Sequence, residues 1–199
     1  MDADRLRANL LRSRHALVEG YHATSVRAAR RILDGAPFRL SRNRYDWLDD
    51  GVYFWEAAPE RAWEWTQQPR VRARLGTQVA VIGARIRLDR CIDFHDTVWH
   101  KPLRDVYEYL RERYERMQRP LPQQTARGKH GWDREVINQL ALMTYRMAGV
   151  EIGAVRASFR EPGDEPIFGD SALYQGAHVQ IAVRDQTLIE ERWLARGDL

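Results

Sequence analysis

Three aromatic residues in a row constrain the fold of this chain most. Tyr53, Phe54 and Trp55 stand in the stretch GVYFWEAAPERAWEW, after Gly51 and before a helix that Pro59 opens. Successive side chains of a β-strand point to opposite faces of a sheet, so alternation alone would bury only half of them. The run therefore predicts a strand with one packed face and a second face that either packs or meets a ligand.

Length and composition indicate a single cytoplasmic domain. The chain has 199 residues, of which 44% are hydrophobic and 30% charged, and this suits one domain with a full core. The single Cys91 excludes a disulfide framework and the common cysteine zinc sites, which fits a reducing compartment. Acids and arginines interrupt the leucines of the first twenty residues, so we expect no signal peptide and no association with a membrane.

The basic charge points only weakly to nucleic acid. The net charge is +4, and of the 32 basic residues only Lys101 and Lys129 are lysines. The arginines are spread along the chain between acids, a pattern more typical of a solvated surface than of a patch for phosphate. The local candidates for phosphate contact are Arg39, Arg42 and Arg44 in one group and Arg70, Arg72 and Arg74 in the other.

Changes in hydrophobic period predict an α+β domain, because helices and strands mix without strict alternation. We expect an N-terminal helix over 1–19, a core over 20–185 and a tail over 186–199. Helices are predicted at 26–33 after the cap Ser25, from Pro59, at 97–117 and at 132–147. Strands are predicted at 20–25, 51–56, within 78–94, at 150–159 and at 178–185, with a loop at 160–176. Predicted core positions are Val106, Leu110, Ile137, Leu140 and Met147.

The common catalytic motifs are absent from the sequence. No glycine-rich loop opens a helix, no phosphate-loop lysine is present and no serine elbow occurs. In CIDFHD, the residues Cys91, Asp93 and His95 would share one strand face and could hold a metal. Ordinary polar residues at a strand end explain this cluster better, since no second pair of histidines has a useful spacing, and we expect no metal.

Three predicted strands each carry one distinctive polar side chain. YHATS carries His22 before one helix, GVYF carries Tyr53 before another, and HVQIAVRD carries Gln180 after the long loop. In order and context these segments resemble the ADP-ribosyltransferase superfamily, in the branch that includes diphtheria toxin and the poly(ADP-ribose) polymerases. The similarity runs from Gly20 to Asp185 and is most specific in the first two segments and their spacing.

The resemblance implies a split β-sheet core with flanking helices and NAD as substrate. His22 would then bond a ribose hydroxyl, Tyr53 would stack on the nicotinamide, and Gln180 would bond the ribose hydroxyl beside the reacting carbon. Backbone groups at the step from His22 to Ala23 would hold the carboxamide, with Thr24 and Phe54 also bordering the cofactor. The loop of residues 161–178 would select the acceptor through Phe168, Asp170 and Tyr174.

Each of these residues also has a purely structural explanation. Taken alone, His22 and Tyr53 are better explained as core residues of short strands. Gln180 fits that explanation least, because burying an amide without partners costs about 1 to 3 kcal/mol. Only the three residues together, in this order, favour a functional site.

Departures from the family pattern narrow the reaction. Ala23 replaces a glycine, Arg61 stands near the place of a small hydroxyl residue that touches the carboxamide, and Gln180 replaces a carboxylate. An amide cannot accept a proton at neutral pH, so a base would have to come from the target or from Asp170 or Glu165. The sequence therefore predicts transfer of single ADP-ribose units rather than polymer synthesis.

The sequence thus favours a mono-ADP-ribosyltransferase of the bacterial toxin or defence type, acting on RNA, DNA or protein. An antitoxin or immunity protein would be an expected partner of such an enzyme. Two alternatives remain. An RNA 2'-phosphotransferase on the same fold would need convergent arginines, and a non-enzymatic module would bind NAD or ADP-ribose without turnover.

Overall fold

A computed structural model describes residues 2–12, 16–43, 46–125, 129–161 and 163–199. Arg44, one of the candidate phosphate contacts, lies outside the described residues. In this part of the chain the helices are α1 (Ala3–Arg12), α2 (Val26–Leu33), α3 (Pro59–Gln67), α4 (Pro69–Leu75), α5 (His100–Arg116) and α6 (Gly131–Ala148). The strands are β1 (Leu17–Ser25), β2 (Val52–Glu56), β3 (Val79–Arg87), β4 (Cys91–Asp93), β5 (Gln124–Thr125), β6 (Lys129–His130), β7 (Ala154–Phe159), β8 (His178–Val183) and β9 (Ile189–Arg196).

Seven of these strands form one sheet in the order β4-β7-β8-β2-β1-β3-β9, and β5 pairs only with β6. Neighbouring strands run antiparallel except β4 and β7, which are parallel. The helices are distributed over the sheet without a regular β-α-β alternation, so the predicted α+β class is confirmed at this level.

The large sheet is split between β1 and β2. These strands pair only through Gly20 with Glu56 and Tyr21 with Trp55, whereas β1 pairs with β3 along its whole length from Leu17 to Ser25. Strand β2 pairs instead with β8 over four positions. The second half of β1 and the first half of β2 therefore part from each other in the middle of the sheet.

Apolar clusters cover both faces of the sheet. On one face, α2 and Phe38 pack on a cluster that includes Phe54, Ile82 and Ile181. On the other face, α1, α5 and α6 pack on the half that contains β7 and β8, and α3 packs on the half that contains β1 and β3. Residues of β2 between these two groups of helices therefore have packed neighbours on both faces, which is one of the two outcomes that the aromatic run predicts.

Local signals set the ends of the helices beside the split. The Ser25 hydroxyl accepts a hydrogen bond from the Ala28 N–H at 3.3 Å and caps α2. That helix ends at Asp34, and Gly35 follows with φ of +96°, a conformation that side chains disfavour. Pro59 occupies the first turn of α3, where its missing N–H costs nothing. The predicted helices after Ser25 and from Pro59 are confirmed.

Three expectations about the fold are wrong. The N-terminal helix ends at Arg12 and does not extend to position 19, because Leu17 already pairs with Arg87 as the start of β1. Residues 189–196, expected as a tail, form the edge strand β9, whose Trp193 lies directly over Gly83 of β3. Met147 is 37% exposed, whereas the other four predicted core positions are buried.

Among the described residues, no helix has the length and apolar character needed to cross a membrane.

Candidate functional site

The strands that carry His22, Tyr53 and Gln180 are neighbours at the split. Strand β8 lies beside β2, and β2 lies beside β1, so the three candidate residues occupy consecutive strands of the sheet. Their positions are staggered, since Trp55 of β2 pairs with Gln180 and Tyr53 pairs with Ala182. The structure thus brings together three strands that are far apart in the sequence.

The three side chains do not share one face. Gln180, paired with Trp55, points to the same face as Tyr53, which is two residues away from Trp55 on β2. His22 packs with Phe54 on the opposite face. Because β1 and β2 separate beside His22 and Tyr53, residues of both faces border the split.

His22 connects the two sides of the split through one of its ring nitrogens. Its Nδ1 lies 2.9 Å from the carbonyl oxygen of Tyr53, which can only accept, so Nδ1 carries the proton and donates. Burial lowers the pKa of His22, and the nearby Arg74 guanidinium lowers it further, against the opposing effect of the bond to Tyr53. The neutral ring therefore keeps a lone pair on Nε2, for which no partner is seen within the described residues.

The ring of His22 is held by aromatic neighbours. Its centroid lies 5.3 Å from that of Phe38 and 5.7 Å from that of Phe54. Phe54 is fully buried in this cluster. The side chain of Phe54 therefore supports His22 from within the core, and contact of Phe54 with a cofactor stays a prediction.

Tyr53 fixes the segment of residues 46–50 over its own face of the sheet. Its hydroxyl accepts a hydrogen bond from the Leu48 N–H at 2.9 Å and donates one to the Asp49 carbonyl at 2.8 Å. Burial raises the pKa of this hydroxyl, with the acids Asp46 and Asp49 adding to the effect, so the group stays protonated. The half-buried ring lies beside the apolar cluster of α5 and α6.

Gln180 lies at the centre of a hydrogen-bonded chain whose proton positions follow from the donors present. The indole Nε1 of Trp47 can only donate, so its partner 2.8 Å away is the amide oxygen of Gln180. The amide nitrogen then donates to His178 Nε2 at 2.8 Å, and His178 Nδ1 donates to the Gly176 carbonyl at 2.6 Å. Burial lowers the pKa of His178, which keeps the ring neutral as this chain requires.

Aromatic rings surround this chain on the face that carries Gln180. Phe159 lies 5.1 Å from Trp47 and 5.4 Å from His178 between ring centroids, and Trp55 lies 6.4 Å from His178. Sequence reasoning missed Trp47 and His178. His178 could have been found, because it lies two residues before Gln180 and a strand places both on one face. Trp47 gives no such signal, since it is 133 residues away from its partner in the chain.

Backbone groups of Ala23 point toward the split. Carbonyl and N–H groups alternate along a strand, and the Glu19 carbonyl accepts from the Ala57 N–H on the β2 side at 2.9 Å. Ala23, at the same parity, directs its N–H and carbonyl to that side, beyond the last pair that joins β1 to β2. Its side chain and that of Thr24 are buried. Ala23 thus offers a backbone donor and a backbone acceptor at the split.

Arg61 ties α3 to the long loop of residues 161–178. Its guanidinium lies 2.9 Å from the Glu161 carboxylate and 3.0 Å from that of Glu64. It also donates to the Gly176 carbonyl at 3.4 Å. Arg61 therefore fixes the loop immediately before His178.

The predicted acceptor loop forms a narrow hairpin-like turn. Pro166 bridges to Tyr174, and the Ile167 N–H donates to the Leu173 carbonyl at 2.8 Å. Tyr174 is half-buried, with the Arg160 guanidinium 4.4 Å above its ring. Phe168 is 67% exposed and Asp170 is also exposed. The loop thus presents Phe168 and Asp170 to solvent and uses Tyr174 to hold itself in shape.

The arginine candidates for phosphate mostly have other partners. Arg42 lies 3.5 Å from Asp50. Arg72 donates to the Thr66 and Thr77 carbonyls and so joins α3 to the turn after α4. Arg74 lies 5.2 Å from the ring centroid of Trp65.

The cluster CIDFHD does not converge on a metal. Burial raises the pKa of the Cys91 thiol, which lies in the apolar core. Asp93 and His95 instead face Arg156 and Ser158. No group of three potential metal ligands occurs within the described residues.

Two concavities among the described residues lie away from the split. One of about 300 Å³ is lined by Asn9, Asp93, Trp99 and Arg156 among others, and a second is lined by Glu19, Tyr21, Arg85, Glu191 and Trp193. At the split itself, the Trp47 indole occupies the space next to Gln180. Binding of a ligand to the Gln180 amide oxygen at that position therefore has to displace or share the bond from Trp47.

Comparisons with protein-family models, with curated proteins and with solved structures give no match to this chain.

Proposed function

We propose that this chain is an NAD-dependent mono-ADP-ribosyltransferase with an ADP-ribosyltransferase-like split sheet. The observation that carries the proposal is the placement of His22, Tyr53 and Gln180 on three consecutive strands at the split. The order and local context of these residues in the sequence resemble the ADP-ribosyltransferase pattern. Their adjacency is what a shared cofactor site would require.

The polar groups at the split suit the chemistry of NAD cleavage. Breaking the nicotinamide bond builds positive charge on the ribose carbon, so the enzyme must hold the ribose and the leaving ring in fixed positions. His22 Nε2 offers an acceptor for a ribose hydroxyl, and the backbone of Ala23 offers a donor and an acceptor for the carboxamide. Tyr53 supplies a ring whose hydroxyl is already held.

Gln180 supports transfer of a single ADP-ribose. Its amide can position a ribose hydroxyl but cannot accept the proton of an incoming acceptor. Trp47 and His178 fix the orientation of that amide before any ligand arrives. The enzyme would therefore rely on the acceptor, or on another group, for deprotonation.

The acceptor would be a macromolecule, either protein or nucleic acid, selected by the loop of residues 161–178. Exposed Phe168 can contact a base or an aromatic side chain. The protein would then act as a bacterial toxin or defence effector in the cytoplasm, with an antitoxin or immunity protein among its partners.

The test is incubation of the protein with NAD labelled in the ADP-ribose part, in the presence of a bacterial lysate. We expect label in a macromolecular fraction and release of nicotinamide, and we expect both to fall about a hundredfold in Gln180→Ala, the scale of losing one positioned hydrogen bond in a transition state. Leu11→Ala, at an exposed position of α1 outside the split and the acceptor loop, is the matched control. Binding of NAD without release of nicotinamide would instead support the binding module, and no binding would overturn the proposal.

A further inference from the structure

A second group of reactive side chains lies apart from the split, at the edge of the sheet. Asp93 ends β4, His95 follows in the next turn, and Ser158 lies on β7. His95 Nδ1 is 2.8 Å from an Asp93 carboxylate oxygen, and His95 Nε2 is 2.7 Å from the Ser158 hydroxyl oxygen. A carboxylate, an imidazole and a hydroxyl are thus joined in series, which is the arrangement that activates a serine for nucleophilic attack.

The contacts around His95 determine where its proton lies. Arg156 Nη1 approaches the same Nδ1 at 3.1 Å but donates at 2.7 Å to the other oxygen of Asp93. The carboxylate of Asp93 can only accept, so the shortest contact of Nδ1 is best satisfied when that nitrogen carries the proton. His95 Nε2 is then free of a proton and accepts the hydrogen bond of the Ser158 hydroxyl.

Asp93 is held ionised in this arrangement. Burial alone would raise its pKa, but the hydrogen bonds from His95 and Arg156 outweigh burial and lower it. Arg156 is itself fixed by two bonds to Glu56, at 2.5 and 2.7 Å. The carboxylate that orients the imidazole therefore has a rigid position and a negative charge at neutral pH.

Ser158 is open to solvent and belongs to a different face from Gln180. Ser158 and His95 are both exposed. Ser158 pairs with Val179, the residue next to Gln180, so the two side chains point to opposite sides of the sheet. An electrophile can reach Ser158 without entering the split.

We infer that Asp93, His95 and Ser158 form a nucleophilic serine site that is acylated by small activated carboxylic esters. In this step Ser158 Oγ bonds to the carbonyl carbon while its proton passes to His95 Nε2. The bond from that carbon to the leaving alcohol then breaks, and the alcohol departs with the proton from His95. Water attacks the acyl-serine by the same route and releases the carboxylic acid.

The test uses a fluorophosphonate probe, which traps the nucleophile without turnover. Ser158 Oγ forms a bond to phosphorus, fluoride leaves and His95 takes the proton. We measure the labelling rate of Ser158 by peptide mass spectrometry and compare it with that of Ser171. This loop serine accepts a hydrogen bond from the Leu173 N–H, and within the described residues no histidine bonds to it. General-base assistance predicts labelling of Ser158 about a hundredfold faster than labelling of Ser171.

Replacing His95 tests whether Ser158 reacts because His95 activates it or only because Ser158 is exposed. In His95→Gln, which retains a side chain able to bond Ser158, we expect the labelling rate of Ser158 to fall to that of Ser171, with the thermal unfolding midpoint confirming the fold. Hydrolysis of p-nitrophenyl acetate should be lost in Ser158→Ala. A rate for Ser158 within tenfold of Ser171, or a rate unchanged in His95→Gln, would overturn the site and leave these residues as a structural tie between β4 and β7.

Discussion

The two faces of the sheet differ sharply beside the split. On the face of His22, the neighbours are the rings of Phe38 and Phe54, and one hydrogen bond to the Tyr53 carbonyl holds the imidazole. On the opposite face, Gln180 is held at both ends of its amide, by Trp47 and His178. One face therefore positions its polar residue by packing, and the other positions it by a chain of hydrogen bonds.

This difference indicates what each face has to do when a ligand binds. The Nε2 of His22 has no partner to give up within the described residues, so a ribose hydroxyl can bond to it directly. The Gln180 oxygen already accepts the Trp47 N–H, so a new donor shares that oxygen or replaces the indole. We expect the packed face to be ready for a ligand and the hydrogen-bonded face to rearrange.

The largest effect is expected when the packing around His22 is removed by replacing Phe54. Phe54→Ala should lower the free energy of unfolding by about 3 to 5 kcal/mol, because it opens a cavity in the core where this ring is fully buried. Chemical denaturation would measure the loss. A change below 1 kcal/mol would show that the ring of Phe54 does not support His22 by packing.

The next largest effect is expected when Tyr53, the neighbour of Phe54 on the opposite face, is replaced. Tyr53→Ala should weaken the binding of NAD by about 1 to 3 kcal/mol, the contribution of an aromatic stacking platform. Tyr53→Phe should retain most of the binding but lose stability, by about 1 to 3 kcal/mol, because the Leu48 N–H and the Asp49 carbonyl lose their partner.

Calorimetric titration with NAD and denaturation of the same variants provide the two measurements for Tyr53. If a folded Tyr53→Ala variant binds NAD as tightly as the parent protein, the residue belongs only to the scaffold of residues 46–50.

A smaller effect compares the two faces through pH. His22 and His178 both have a lowered pKa in the folded protein, mainly because of burial. As the pH falls below about 6.5, these histidines become protonated in the unfolded chain before they do so in the folded protein. Their contribution to the free energy of unfolding is therefore present above about pH 6.5 and decreases as the pH falls toward their lower pKa values in the folded protein. The slope should reach at most about 1.4 kcal/mol per pH unit for each histidine.

Single variants show which of the two histidines, and therefore which face, causes the pH dependence of the unfolding free energy. His22→Gln and His178→Gln should each flatten the dependence of the unfolding free energy on pH between 5 and about 6.5 relative to the parent chain. The carboxylates are common to all three proteins and cancel in the comparison. An unchanged slope in either variant would mean that its histidine is protonated equally well in the folded and unfolded chains.

The sequence predicted the central strands beside the split better than it predicted the edge strand β9. β1, β2 and β8 were found because each combines a short apolar run with a clear boundary, such as Ser25 before α2 or Pro59 after β2. Strand β9 was missed because half of the residues in its sequence, IEERWLAR, are charged. It is a strand through its pairing with β3, where Gly83 leaves room for the Trp193 ring.

At the candidate site, sequence reasoning identified single residues but not their partners. Gln180 stands out through the resemblance to the ADP-ribosyltransferase pattern, and an amide in an apolar strand needs a partner. The partner Trp47 comes from a loop far away in the chain, and no local pattern relates the two. The placement of His22 and Tyr53 on opposite faces also depends on the register between β1 and β2, which tertiary pairing decides.

The smallest effect on stability is expected in the acceptor loop of residues 161–178, which leads into the strand that carries Gln180. Phe168 is 67% exposed, so Phe168→Ala should change the free energy of unfolding by no more than about 0.5 kcal/mol. If the loop selects the acceptor, the same change should reduce transfer of ADP-ribose to a macromolecule severalfold while hydrolysis of NAD stays constant, since Phe168 would contact the acceptor and not the cofactor.

Tyr174 distinguishes contact with the acceptor from the shape of the loop. Its ring is half-buried under Arg160, and its backbone bridges to Pro166, so Tyr174→Ala should loosen the turn that presents Phe168. We expect transfer to fall in both variants, with hydrolysis of NAD maintained, but greater susceptibility of the loop to proteolysis only in Tyr174→Ala. Comparing labelled acceptor with free ADP-ribose measures the two activities in one reaction. Equal loss of transfer and hydrolysis in Phe168→Ala would place this side chain in the NAD site, and selection of the acceptor would then have to come from another surface.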